Sequence, residues 1–258
     1  MHAATQRPIA LITGVGRRRS IGAGIALALA EDGWDVALGY WRPYDDRLDL
    51  DRGGDDPSEI AEECRALGAH VDLVPDDLAD PEAPTRMMAA AGVRGPVTGL
   101  VMSHCESVDS AIMTTTLESW DRHFAVNARA VWLLIKAFAE QLPAPSAVGA
   151  AVGRIVALTS DHTAFNLPYG ASKGALDRIV IASVHELADR GVRANVINPG
   201  PIDTGWMDDA IRESGTAATP AWRLGTPEDT ANLVRFLLSE RGSWINGQLL
   251  KSNGGFHA

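Results

Sequence analysis

Cysteine is scarce: Cys64 and Cys105 are the only two in 258 residues, too few for a disulfide framework or a zinc cage. The seven histidines show no paired ligand spacing, and the acids show no calcium-loop pattern, so no metal is expected. Basic charge is short as well. With 23 Lys and Arg against 33 Asp and Glu, the formal net charge is -10, whereas a nucleic-acid surface needs concentrated cations. The one basic run, Arg17-Arg18-Arg19, is too short to make such a surface. No apolar run approaches the length of a membrane span, and the opening MHAATQRP has no apolar signal core. These absences together set the expectation of a soluble, cytoplasmic protein with neither nucleic acid nor membrane as a partner. Internal repeats and low-complexity linkers are also lacking. A hydrophobic content of 46% suffices for one α/β domain over 1–258.

Residues 154–176 read RIVALTSDHTAFNLPYGASKGAL. The β-branched run 155–158 predicts a buried strand that delivers Thr159 and Ser160 at its carboxyl end. Pro168 suits the first turn of a helix that follows. On that helix Tyr169 and Lys173 are four positions apart, so both side chains leave the same face about one turn from each other. An ammonium beside a phenol favours the phenolate, and is expected to draw the Tyr169 pKa down from about 10 toward the working pH. Ser160, on the adjoining strand end, would supply a hydroxyl to the same substrate oxygen. An amphipathic helix with an exposed lysine has the same spacing, so the start of the chain carries the distinction.

There, a strand over 8–13 runs into GVGRRRSIGAG and a helix over 21–31. Gly14, Gly16, Gly22 and Gly24 permit a tight turn and close backbone approach to a pyrophosphate, and the helix start offers it free N–H groups. Thr13-Gly14 with Gly22 and Gly24, Ser160, the Tyr169 and Lys173 pair, and Asn198-Pro199-Gly200 together resemble the short-chain dehydrogenase/reductase family. The likeness covers nearly the whole chain and is to 3-oxoacyl-[acyl-carrier-protein] reductase-like members. Strands at 36–40, 70–74, 97–102, 192–197 and 247–251, alternating with helices, predict a single-domain doubly wound parallel sheet, a Rossmann fold with helices on both faces.

The resemblance implies roles residue by residue. Gly14, Ser20, Ile21 and Gly22 would meet the cofactor phosphates, Asp77 and Leu78 the adenine, and Pro199, Gly200, Ile202 and Thr204 the nicotinamide. The second strand ends in Tyr40-Trp41-Arg42, with no acid for a ribose 2′-hydroxyl. Arg42, with Arg17 or Arg18, therefore makes NADP(H) the expected cofactor ahead of NAD(H). Tyr169 would donate the proton, Ser160 would orient the carbonyl, and Lys173 would lower the Tyr pKa while holding the ribose. The backbone carbonyl of Asn127 would hold a water next to Lys173. The implied reaction moves a hydride between nicotinamide and a ketone or secondary alcohol. A 3-oxoacyl thioester is the small-molecule substrate implied by resemblance, with polyketide-type and steroid-like ketones equally supported. Two alternatives stay open: an enoyl reductase, which the Ser20-Ile21-Gly22 turn resembles but whose Tyr and Lys stand farther apart, and a non-catalytic nucleotide-sensing protein.

Several stretches depart from the family pattern. The glycine turn is longer, and Met102-Ser103-His104-Cys105 stands where Asn-Asn-Ala-Gly is usual. Tyr169 follows Ser160 by nine residues, a shortened gap lined by Asp161, His162, Thr163 and Phe165. His104 reads as a hydrogen-bonded structural residue. The acid-rich insertion 44–57 reads as a solvated loop, and 203–223, with Trp206, Met207 and Trp222, as a substrate lid. A single long helix is expected over 120–142. Consecutive apolar residues at 179–182 call for a second cover besides the sheet, hence a homodimer or homotetramer.

Overall fold

Runs that are apolar on consecutive positions become strands because helices cover both of their faces. In a computed structural model, which describes residues 7–50 and 56–256, seven strands alternate with helices. The first half comprises β1 (Ile9–Thr13), α1 (Ile21–Glu31), β2 (Asp35–Tyr40), α2 (Arg42–Arg47), α3 (Asp56–Ala66), β3 (Val71–Pro75), α4 (Ala83–Ala91) and β4 (Val97–Met102). The second comprises α5 (Leu117–Phe124), a π-helical turn at Ala125–Arg129, α6 (Ala130–Gln141), β5 (Gly153–Leu158), α7 (Leu167–Glu186), β6 (Val192–Asn198), α8 (Asp209–Ala218), α9 (Pro227–Leu238) and β7 (Leu249–Lys251).

The strands form one sheet in the order β3-β2-β1-β4-β5-β6-β7, every pair parallel. Strand order reverses between β1 and β4, and their register pairs Thr13 with Met102, so both carboxyl ends stop level and open a crevice. One face buries Leu100, Phe138 and Val180 beneath α4, α6 and α7. The other buries Ile12, Leu29, Ile60 and Val234 beneath α1, α3 and α9. Among the described residues no helix is long and apolar enough to cross a membrane.

Three expectations need adjustment, and the stretch 203–223 gains a helix. The insertion 44–57 does not begin as a solvated loop: Pro43 in the first turn starts α2, which buries Asp45. Residues 51–55 of that insertion lie outside the described residues. The helix expected over 120–142 is interrupted by the π turn around Asn127, whose side-chain amide is drawn to the Glu106 backbone instead of lying along the helix. The stretch 203–223 contains α8, capped by Asp208, and no residue of α8 is buried. The final strand is shorter than expected because Gly247 turns at φ 73° just before it.

Candidate active site

The carboxyl ends of the central strands line one cleft of about 540 Å³, within the usual size of a small-molecule site. Gly14 follows β1 at φ 80°, and a Cβ there would lie 2.7 Å from the Ser103 backbone. The loops after β1 and β4 therefore meet with no room for a side chain. Ser20 caps α1 by accepting a hydrogen bond from the Ala23 N–H at 3.0 Å, while the other first-turn N–H groups have no acceptor within the helix. Gly14, Arg17, Ser20 and Ile21 line the cleft, so this turn fits a pyrophosphate.

At the end of β5 and the start of α7, Ser160, Tyr169 and Lys173 come to the same cleft. Lys173 is buried, and its Nζ donates to the Leu158 carbonyl at 2.8 Å and the His104 carbonyl at 3.4 Å. Two of its three protons are thereby used, which fixes the ammonium at 5.8 Å from the centre of the Tyr169 ring. Burial lowers the Lys173 pKa, against the opposing charges of Cys105 and Asp177. The expectation of a lowered Tyr169 pKa is corrected here. Burial pushes the phenol up, the charges of Cys105 and Asp161 add to this, and the Ser160 hydroxyl opposes it. The desolvation of phenolate outweighs an ammonium that spends two of its three protons on carbonyls. The shortened gap between Ser160 and Tyr169 packs directly on α7: a Cβ at Gly170 would come 2.1 Å from the His162 carbonyl.

His104 bridges β1 and the π turn. Its Nε2–H donates to the Val126 carbonyl at 3.1 Å, so Nδ1 accepts from the Thr13 hydroxyl at 2.6 Å. Burial, aided by the charge of Lys173, pushes its pKa down to about 3, and the ring stays neutral. Asn127 is fully buried behind the cleft, accepting from Glu106 N at 2.8 Å and donating to Glu106 O at 2.8 Å and Ser172 Oγ at 2.9 Å. Its amide thus ties the loop after β4 to α7, the helix that bears Tyr169 and Lys173.

Asp77, Leu78, Pro199, Gly200, Ile202 and Thr204 all line the cleft as the family pattern implies. Arg18, Arg42 and Gly22 do not line it. Arg18 reaches over α3, pairing with Glu63 at 2.5 Å while its N–H donates to Asp56 at 2.7 Å, because the longer turn carries it to the acids of that helix. Arg42 opens α2, and Gly22 packs inside α1 against the Gly14 carbonyl. Arg17 remains, paired with the buried Asp45 at 2.8 Å and donating to the Thr204 carbonyl. Asp77 is gripped by the Arg122 guanidinium at 3.2 Å, and that guanidinium also stacks over the Trp41 ring at 4.6 Å.

Several cleft residues lay outside the sequence reading. Glu106 is a buried carboxylate held by Arg47 and by Arg122 at 3.2 Å. Tyr44 comes from α2, its phenol pushed up by burial and by the charges of Cys105 and Glu106, with its ring 5.9 Å from Trp206. Asn166 occupies the N-cap position of α7 on the cleft wall, without a capping bond from its side chain. The Asn ahead of a helix-starting Pro was a visible signal for the last. Nothing local marked Glu106 or Tyr44, which only the fold brings in. Among the described residues no group of three or more metal-ligating side chains occurs.

Comparisons place this geometry among known proteins. A family model described as Enoyl-(Acyl carrier protein) reductase matches residues 14–257. An uncharacterized oxidoreductase, YjdA, of Bacillus subtilis (strain 168) is 31% identical over 257 residues, spanning 98% of this chain and 98% of its own. An NADPH-dependent aldehyde reductase-like protein, chloroplastic, of Arabidopsis thaliana is 31% identical over 262 residues, spanning 96% of this chain and 93% of its own. A solved short chain dehydrogenase from Burkholderia cenocepacia J2315, in complex with NADP, superposes with a TM-score of 0.85 at 29% identity, covering 99% of this chain and 100% of that one.

Proposed function

Because the chain belongs to the short-chain dehydrogenase/reductase family, we propose that it is an NADP(H)-dependent oxidoreductase that interconverts a ketone and a secondary alcohol. The observation that carries this reading is the pairing of Tyr169 with Lys173 one helical turn away, both on the cleft wall beside Ser160. Bound NADPH would supply the hydride. Tyr169, whose raised pKa keeps the phenol protonated, would give its proton to the carbonyl oxygen that Ser160 orients. Lys173 would hold the ribose with its remaining proton and stabilise the phenolate as it forms. Asn127 would keep Glu106 and α7 in register, with its backbone carbonyl next to the water that serves Lys173.

The cofactor choice is supported by Arg17 on the cleft and by the NADP bound to the Burkholderia relative. Gly14, Ser20, Ile21, Asp77, Leu78, Pro199, Gly200, Ile202 and Thr204 are the residues expected to hold it, with Gly22 supporting the turn from inside α1. The segment 203–223 would act as a lid, with Trp206 closing on Tyr44. A homodimer or homotetramer is supported by Trp132, 53% exposed on α6, and by the half-buried Ile179 and Ile181 on α7. Light scattering at micromolar concentration should report at least a dimer, and a monomer would refute the assembly. Two free thiols are in keeping with a cytoplasmic location, which cell fractionation tests.

The test of activity is NADPH oxidation across acyl thioesters, cyclic ketones and quinones. On a turned-over ketone, Tyr169→Phe should lower turnover by about two orders of magnitude or more while NADPH titration shows binding retained. Near-normal turnover would remove the tyrosine from the chemistry and favour the nucleotide-sensing reading. The description of the matching family model favours a second reading, an enoyl reductase. Matched 3-oxoacyl and 2-enoyl thioesters separate the two, and reduction of the enoyl compound alone would overturn the carbonyl assignment.

A further inference from the structure

Most of the charge on the wall of the active-site cleft is engaged within the protein. Arg17 pairs with Asp45, Asp76 pairs with Arg86 at 2.7 Å, and Arg122 holds both Asp77 and Glu106. Lys173 donates to the Leu158 and His104 carbonyls. Asp109 and Asp161 are different: both carboxylates line the cleft, and neither has a hydrogen bond or ion pair among the described residues. The charge that the wall leaves unbalanced is therefore negative.

Both carboxylates stand by the reacting groups. Asp161 directly follows Ser160, and its charge reaches the phenol of Tyr169, where burial first, then the charge of Cys105, then that of Asp161 push the pKa up against the Ser160 hydroxyl. Asp109 lies in the loop after β4, which two hydrogen bonds tie to the start of α7, the helix that bears Tyr169. The Leu167 N–H donates to the Ser110 carbonyl at 3.0 Å, and Asn166 Nδ2 donates to the Ser107 hydroxyl at 3.0 Å. Carboxylates on an open surface are screened by water and salt, whereas like charges on a concave wall focus their field into the space they enclose. Trp206, Met207 and Ile211 give the same cleft apolar wall, which suits the body of a ligand whose charge is met elsewhere. The formal net charge of -10 adds the same sign at longer range.

We propose that Asp109 and Asp161 set substrate specificity by charge: the cleft takes a ketone that bears an ammonium group and turns away anionic ketones, thioesters of phosphate-bearing carriers among them. This inference rests on the carbonyl-reductase reading above and narrows its substrate class. Attraction of the cation and repulsion of the anion both contribute, since selectivity is a difference of affinities. Proton transfer stays with Tyr169.

The probes are three acetophenones of similar size, with an aminomethyl, a hydroxymethyl or a carboxylate group in the meta position. Near neutral pH they are a cation, a neutral molecule and an anion. Their affinities are measured by calorimetry on the full chain saturated with NADP+, and their turnover with NADPH. The aminomethyl ketone should bind about fivefold or more tighter than the hydroxymethyl ketone, the scale of two partly screened ion pairs, and the carboxylate should bind weakest. Added salt should compress this order. Asp109→Asn and Asp161→Asn should each remove part of the preference, and the double variant should bind all three alike. Thermal melts establish that the variants fold. Equal affinities, tightest binding of the anion, no binding of the aminomethyl ketone, or an order that survives in the double variant would overturn the inference. So would variants that shift only the relative affinities of NADP+ and NADPH, which would assign the carboxylates to the oxidised nicotinamide. The expected order without any NADPH oxidation would leave the charge selection standing and refute the reductase reading alone.

Discussion

Asp45 gives the sharpest handle on the cofactor. It sits on α2 just beyond β2, 6% exposed, with its Oδ1 at 2.8 Å from Arg17 and its Oδ2 2.5 Å from where a Cβ on Gly16 would lie. The acidic insertion therefore does fold back onto the glycine turn, and Arg17 is the arginine it neutralises. Both side chains are about nine-tenths withdrawn from solvent, at 11% and 9% exposure. With an effective dielectric of about 20, two unit charges about 4 Å apart interact by about 4 kcal/mol, so a 2′-phosphate must compete with Asp45 for the guanidinium. Asp45→Asn keeps the size of the side chain and an acceptor for Arg17 while removing the competing charge. A charge-assisted contact contributes about 1.5 to 3 kcal/mol, so the NADPH dissociation constant should fall by about tenfold or more. NADH lacks the phosphate, and its affinity should hardly change. The ligand-free variant should lose about 1 to 3 kcal/mol, because Arg17 keeps a hydrogen bond but not its counter-charge. Saturating NADPH should then raise its melting temperature by more than it raises that of the wild type. Parallel titrations of both cofactors against both proteins measure all of this. Wild-type protein should already prefer NADPH by about tenfold. If Asp45→Asn instead weakens NADH and leaves NADPH unchanged, the carboxylate serves a ribose hydroxyl, and the reasoning fails in favour of NAD(H).

The neutral His104 sets a pH dependence. Its folded pKa of about 3 lies below the ordinary 6.5, so the unfolded chain binds the extra proton and stability should fall as pH drops from about 6.5 toward 3. Urea denaturation across that range should show a shallower fall in His104→Gln, and an unchanged slope would assign the effect to other groups. Gly170→Ala should lower turnover by about tenfold or more with a cooperative thermal transition retained, because the new Cβ displaces the His162 carbonyl and with it the loop that carries Ser160. Normal kinetics in that variant would mean that the loop yields without moving Ser160.

The alternation of apolar runs with helical patterns, the glycine turn after 8–13 and the Tyr169 and Lys173 spacing are local properties, and each was legible in one dimension. A strand or a one-turn spacing depends on neighbours a few residues apart, so the sheet, its crevice and the Tyr169 and Lys173 pair on its wall followed from the chain itself. The side-chain environments did not. Arg17, Arg18 and Arg42 look alike in a sequence, yet only Arg17 lines the cleft, because Asp45 holds it there while Glu63 draws Arg18 over α3. Glu106 was one acid among 33 until the fold surrounded it with Arg47, Arg122 and the Asn127 amide. The sign of the Tyr169 shift depends on how much water reaches the phenol and where the Lys173 protons point, and both are set by packing across β4, β5 and α7. The Leu167 N–H at the start of α7 is likewise taken by the Ser110 carbonyl, a partner far back in the chain that no local pattern shows. Sequence thus determined which groups are present and the order in which strands deliver them. Tertiary structure decided their charges and partners, because desolvation and ion pairing are sums over neighbours that are distant in sequence.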